Sequence, residues 1–152
     1  MPDISRIRES RRERYTDTFK DGRVFYRDEV TGKEIEYYKI ANPAKWTGKL
    51  AVLVNRESAS CAEYFASDVQ FNKRGPVLGE RSYGLGNTGT RAFQLINGGA
   101  LAVTLLKSLR LDNTPYPERV NPDVFVRDNF DNVVLKGKDD VMDRAVQELG
   151  VQ

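Results

Sequence analysis

The run Asn55-Arg56-Glu57-Ser58-Ala59-Ser60-Cys61-Ala62-Glu63 gathers two serines, the cysteine and two carboxylates in one short stretch. A serine hydroxyl or a thiol placed here could attack a carbonyl carbon and form a covalent acyl intermediate. The run joins an apolar segment, Leu50 to Val54, to a segment with helical spacing, Ser60 to Asn72. That junction suits a nucleophile. The strand fixes the turn, and the helix N-terminus offers unpaired N–H groups and the positive end of its dipole to a developing oxyanion. A plainer reading fits the same residues. Ser60-Cys61-Ala62-Glu63 matches the capping box, Ser-x-x-Glu, that opens an apolar helix. Cys61 also reads as a small, buried, inert side chain; as a nucleophile it needs a base to lower its pKa.

The rest of the composition limits that chemistry. The chain has 152 residues, one cysteine and no histidine. It therefore contains neither a Ser-His-Asp nor a Cys-His set, no histidine-ligated metal site and no intrachain disulfide. No metal or cofactor is expected. The formal net charge is only +2, too small an excess to point to nucleic acid. The densest basic cluster, Arg6, Arg8, Arg11, Arg12 and Arg14, is interleaved with Glu9 and Glu13. It reads as a solvated helix face with i,i+4 neighbours. A nucleic-acid or anionic-surface patch and a partner-docking arm are the alternatives. No stretch approaches the ~20 apolar residues that span a bilayer, and the charged first residues are no secretory signal. Taken alone the chain is expected in the cytoplasm; a signal-bearing segment upstream would move it outside.

The elements that must position the run follow from periodicity. Residues 1–22 are poor in large apolar side chains and read as a docking or partly disordered leader. Val24-Phe25-Tyr26 and Ile35-Glu36-Tyr37-Tyr38 flank Thr31-Gly32, a hairpin signal, and Asn42-Pro43 ends it. The chain is thus divided into a charged leader plus hairpin (1–46) and a second region (47–152). Leu50 to Val54, the helix, and Val77-Leu78 after Gly75-Pro76 form a βαβ unit whose short apolar strands suit a parallel sheet. A glycine-rich loop follows: Gly79, Gly84, Gly86 and Gly89, with Asn87 and Thr88. It reads as a hairpin loop needing positive φ, as a wall of a cleft, or as a phosphate cradle, although no Lys-Ser/Thr follows it. Asn97-Gly98-Gly99 joins strands 92–96 and 100–106. Val124-Phe125-Val126 is a further strand, with Asp123 fixing the turn before it. The spacing of Val141, Ala145, Val146 and Leu149 predicts a final helix capped by Asp139 or Asp140. The expected fold class is α/β with a mixed sheet.

With these pieces in order, Ser58-Ala59-Ser60-Cys61-Ala62-Glu63 resembles the Ser-Ala-Ser-x-x-Glu stretch of the tail-specific, or C-terminal processing, serine peptidases. Gly75-Pro76-Val77-Leu78-Gly79-Glu80 is similar to that family's strand ending in Val-Gly-Glu, and Ser82-Tyr83-Gly84 stands where it has Thr-x-Gly. Leu95-Ile96-Asn97-Gly98-Gly99-Ala100-Leu101 resembles its Leu-x-Asp-Gly-x-x-Leu hairpin, and Val120-Asn121-Pro122-Asp123-Val124 its closing strand. The resemblance covers about residues 47 to 127 and implies a crotonase/Clp-protease-like arrangement of βαβ units. It implies Ser60 as nucleophile and the Cys61 N–H as an oxyanion donor. The family's processing branch carries its general base, a lysine, twenty-five residues after the serine; here that position is Leu85. The tricorn-like branch uses a histidine from an upstream half, with an acidic residue near the position of Glu118. The resemblance therefore implies the C-terminal half of a serine peptidase acting on a peptide or protein substrate. Its base would come from an N-terminal half, or its site would be completed by a second copy of the chain. A pseudo-peptidase that only binds peptides is the alternative. A solvated loop carboxylate is the plain reading of Glu118.

Overall fold

The computed structural model describes residues 4–9 (backbone only), 14–41, 46–86, 89–110 and 112–150. Along the chain run β1 (Ile4–Glu9), β2 (Arg14–Lys20), β3 (Arg23–Asp28), β4 (Glu34–Lys39), β5 (Val52–Val54), α1 (Cys61–Phe71) and β6 (Val77–Gly79). They continue with β7 (Gly89–Gln94), β8 (Ala100–Arg110), β9 (Val124–Phe125), α2 (Phe130–Lys136) and α3 (Asp140–Leu149). The chain forms two compact units, one of residues 1–46 and 87–116, the other of residues 47–86 and 117–152.

The first unit is an antiparallel sheet in the order β4-β3-β2-β1-β8-β7. The segment before Gly22, read from sequence as a leader, instead carries two strands, and the basic cluster is not a helix. Arg6 and Arg8 fall in β1 and Arg14 opens β2; Arg11 and Arg12 lie outside the described residues. Pairing supplies what the local composition lacks. Thr16, Asp17, Thr18 and Phe19 of β2 pair with β3 across the Asp21-Gly22 turn. Both turn residues have positive φ, 49° and 72°, as a two-residue hairpin requires. Tyr15 stacks on Tyr26 with ring centroids 4.9 Å apart. The β3–β4 hairpin and the β7–β8 hairpin over Asn97-Gly98-Gly99 form where the turn signals place them. Asn42-Pro43 lies outside the described residues.

The second unit is built on a parallel sheet, β5-β6-β9. Parallel and antiparallel pairs thus occupy separate sheets, where one mixed sheet was expected. β5, α1 and β6 make the predicted βαβ unit, and α1 and α3 both pack against β5 and β6. Val54, Ala66, Val69, Val77 and Val120 form its core, joined by Leu50 and Val52. Gly79, at the end of β6, has φ 120°, and a Cβ there would lie 1.9 Å from the Val54 carbonyl oxygen. Glu80 N–H can then donate to that carbonyl at 3.0 Å, and the chain turns into the glycine-rich loop. Asp123 holds the next crossing: its Oδ2 accepts from Val77 N–H at 2.8 Å and its Oδ1 from Gln70 Nε2 at 3.0 Å. α3 begins at Asp139, which accepts from Val141 and Met142 N–H. Lys49 donates to the Leu149 carbonyl at its other end.

Sequence reading assigns no element to 130–136, where α2 forms. Its apolar side chains, Phe130, Val134 and Leu135, are exposed, so burial gives no helical period to detect. Local caps carry it: Asn129 accepts from Asn132 N–H, and Gly137 closes the C-terminus at φ 63°. Asp140 ties α2 to α3 through Lys138 at 2.6 Å and Asn132 at 2.8 Å.

Asp123→Ala leaves the Val77 N–H, in the middle of the core, without its acceptor. It should lower the unfolding free energy by about 1–3 kcal/mol, measured by urea titration of the circular dichroism signal, with Asp123→Asn milder. Equal stability of the Ala variant would show that the crossing is held otherwise. A second expectation concerns acid. Hydrogen bonds from Lys138 and Asn132 hold the Asp140 carboxyl below its ordinary value. A lowered folded-state pKa contributes stability above the unfolded value, near 3.9, that is lost as pH falls through the folded one. The α2–α3 junction should loosen only below about pH 4, followed by carboxyl-carbon NMR titration, and Lys138→Ala should move the midpoint upward.

Candidate active site

The site is assembled inside the second unit. β5 ends at Val54, and the turn 55–59 is shaped by its own side chains. Asn55 Oδ1 accepts from Glu57 N–H at 3.0 Å, and Ser58 Oγ accepts from Asn55 N–H at 3.0 Å. Asn55 Nδ2 donates to Asp128 at 3.2 Å. A cavity of about 190 Å3 is lined by Asn55 and Ser58 with Asp128 and Asp139.

Ser60 follows with φ 55° and ψ −116°. A simple N-cap residue is extended; Ser60 is not, and a non-glycine residue in this region is strained by about 1–3 kcal/mol. Its neighbours hold it there. The Ser60 carbonyl accepts from Glu63 N–H at 3.0 Å and Tyr64 N–H at 3.1 Å. The Ser60 N–H donates to Glu63 Oε2 at 2.9 Å, which is the glutamate half of the expected capping box.

Glu63 does more than cap. The residue is 1% exposed, and its carboxylate also collects donors from a loop distant in sequence. Oε2 also accepts from Leu85 N–H at 2.8 Å. Oε1 accepts from Gly84 N–H at 2.8 Å and from the Ser82 hydroxyl at 2.5 Å. Four donors match the lone-pair sites of a carboxylate. Sequence spacing exposed only the bond to Ser60; the loop donors arrive through the fold.

The glycine-rich loop is described through Gly86; Asn87 and Thr88 lie outside the described residues. Gly84 has φ 111°, and a Cβ there would meet the Arg119 side chain, so the need for positive φ is real. The phosphate-cradle reading is overturned, because the loop N–H groups of Gly84 and Leu85 already serve an internal carboxylate. The Leu85 side chain brings no amine to the site. The loop is also laced to the segment carrying Glu118. Gly86 N–H donates to the Glu118 carbonyl, and Ser82 N–H to the Val120 carbonyl, at 3.2 and 3.1 Å.

Two of the sequence-derived residues, Ser60 and Glu118, therefore sit along one hydrogen-bonded chain. Ser60 leads to Glu63, Glu63 to the loop, and the loop to the Glu118 backbone. Glu118 itself is exposed, and among the described residues its carboxylate has no hydrogen-bond or ion-pair partner. Cys61 is exposed, not buried as its residue type suggested. As the first residue of α1 its N–H has no intrahelical acceptor. Among the described residues no group of three or more acidic or cysteine side chains could hold a metal ion, and no helix is long and apolar enough to cross a membrane.

A strained serine thus stands at a strand-to-helix turn, next to a helix N-terminus. Among known proteins, the model of peptidase family S41 matches residues 13–126, and the chain belongs to that family. The match begins well before residue 47, so β2, β3 and β4 lie inside it and β1 precedes it. Over 58 residues the chain is 45% identical to carboxyl-terminal-processing peptidase 2, chloroplastic, of Arabidopsis thaliana, covering 38% of this chain and 11% of that protein. It is 40% identical over 58 residues to the carboxyl-terminal-processing protease of Synechocystis, covering 38% and 13%. The matched segment is thus about a tenth of those relatives. A crystal structure of a candidate peptidase from Parabacteroides merdae superposes with TM-score 0.59 at 20% identity, over 77% of this chain and 36% of that one; it supports the fold.

Glu63→Ala would leave four donors without their acceptor at roughly 1–3 kcal/mol each, a total comparable with the 5–15 kcal/mol stability of a domain. The variant should lose cooperative unfolding in denaturant, and Glu63→Gln should be intermediate. A Glu63→Ala protein as stable as the parent would show that the carboxylate is dispensable.

Proposed function

We propose that this chain is the nucleophile-bearing part of a serine peptidase. Ser60 Oγ adds to the scissile carbonyl carbon while a base takes its proton. The Cys61 N–H donates to the oxyanion. The C–N bond breaks as the leaving amine is protonated, giving a Ser60 ester, and water then releases the acid and restores the hydroxyl. The observation that carries this reading is the backbone of Ser60, held in a strained conformation by a buried carboxylate in a family of peptidases.

The base is the missing part. The chain has no histidine, and the loop offers Leu85 instead of a lysine. We place the base on a histidine from another segment or a second polypeptide, with Glu118 orienting it. The βαβ unit fits a crotonase/Clp-like framework, and the substrate is a peptide or protein. Without general-base catalysis, a contribution of about 10²–10⁴, the isolated chain should hydrolyse peptides negligibly. Leu85 also favours a second reading, a cleft that binds peptides and has lost its chemistry.

A fluorophosphonate probe with mass-spectrometric site mapping tests the choice. The isolated chain should label at Ser60 slowly. Co-expression with the polypeptide encoded upstream should raise labelling by about 10²-fold or more and bring casein cleavage, both abolished by Ser60→Ala. Rapid labelling of the isolated chain would remove the need for an outside base. Peptide binding without labelling in either setting would leave only the binding module.

A further inference from the structure

Ser82 is the side chain through which the Glu118 segment reaches the nucleophile turn. It is 2% exposed and lies in none of the elements that carry the proposed catalytic groups. Its Oγ accepts from Val120 N–H at 2.7 Å. That bond commits an oxygen lone pair and leaves the hydroxyl proton for Glu63 Oε1, at 2.5 Å. Glu63 Oε2 in turn receives the Ser60 N–H. One buried path therefore runs from Val120, two residues past Glu118, through a hydroxyl and a carboxylate to the strained residue that bears the proposed nucleophile. Val120 donates to Ser82 and Ser82 to Glu63, so the first bond polarises the second, and the Ser60 N–H meets the same carboxylate from the other side.

We infer that Ser82 is a positioning residue, whose hydroxyl couples the Val120 backbone to the conformation of Ser60 by way of Glu63. This rests on reading Ser60 as the nucleophile, and it adds a requirement that reading does not contain. The Ser60 conformation should depend on a hydroxyl at position 82, not merely on a small residue there. Alanine fits the space but leaves Val120 N–H without an acceptor and Glu63 one donor short. Threonine keeps the hydroxyl.

Amide hydrogen exchange of the folded 152-residue chain, resolved by NMR, tests the coupling. Ser82→Ala should speed exchange at Ser60, Leu85 and Val120 by about tenfold or more, the effect of one buried group left unpaired. The Val77 amide, bonded to Asp123 in the same unit, should keep its protection, and Ser82→Thr should restore all three sites. If Ser82→Ala does not fold, Ser82→Cys, with its weak donor and acceptor, carries the same comparison at intermediate size. The inference is overturned if Val120 loses protection while Ser60 and Leu85 do not. It is also overturned if Val77 accelerates equally, which is general loosening, or if threonine fails to rescue. Exchange reports the coupling whether or not Ser60 reacts. A Ser60 that never takes the fluorophosphonate probe would therefore overturn the nucleophile reading alone.

Discussion

One buried carboxylate holds the Ser60 end of the second unit together. Glu63 sits at the start of a helix and receives four hydrogen bonds, one from the turn before it and three from a loop about twenty residues downstream. An unpaired charge in that position would be strongly unfavourable. The fold therefore has to bring Ser82, Gly84 and Leu85 to it, and in doing so it sets where the loop lies relative to Ser60. The strain at Ser60 is tolerated because this network and the helix hydrogen bonds together over-determine the residue.

The parallel sheet makes that meeting possible. β5 delivers the chain to the Ser60 turn, and β6, hydrogen-bonded beside it, delivers the chain to the loop. Both strands end at the same edge, so the two segments leave side by side. Gly79 permits the tight departure, since any Cβ there would strike the β5 backbone. Asp123 fixes the next segment to β6 and so brings residues 117–120 alongside the loop. The geometry around Ser60 is thus a consequence of where β5 and β6 stop, the general habit of open parallel sheets.

Much of this was legible along the chain. The apolar run at 50–54, the helix, the Asn97-Gly98-Gly99 turn and the spacing of Val141 and Ala145 each carry a local signal strong enough to act alone. β1, β2 and α2 do not. The residues of β2 have too few large apolar side chains to advertise a strand, and they become one because β3 and β1 satisfy their backbone on either side. The Asp21-Gly22 turn was the signal available for that hairpin. α2 is held by Asn129 and Gly137 at its ends while its apolar side chains stay exposed, so periodicity had nothing to report. Cys61 was misjudged for a related reason: burial belongs to a position on a helix, not to a residue type.

The sequence by itself determined the order of the family's pieces, the Ser60 motif with its Glu63, the absence of any histidine, and the leucine where a lysine would stand. Those are statements about residue identity and local spacing, and short-range physics is enough to read them. Only the tertiary structure decided that Ser60 is strained, that Glu63 is saturated by the loop, and that Ser82 links both to the Glu118 segment. The last two depend on bonds between residues 19 to 38 positions apart. Such bonds exist only after the strands have paired, because no local propensity specifies which distant N–H or hydroxyl a buried carboxylate will meet.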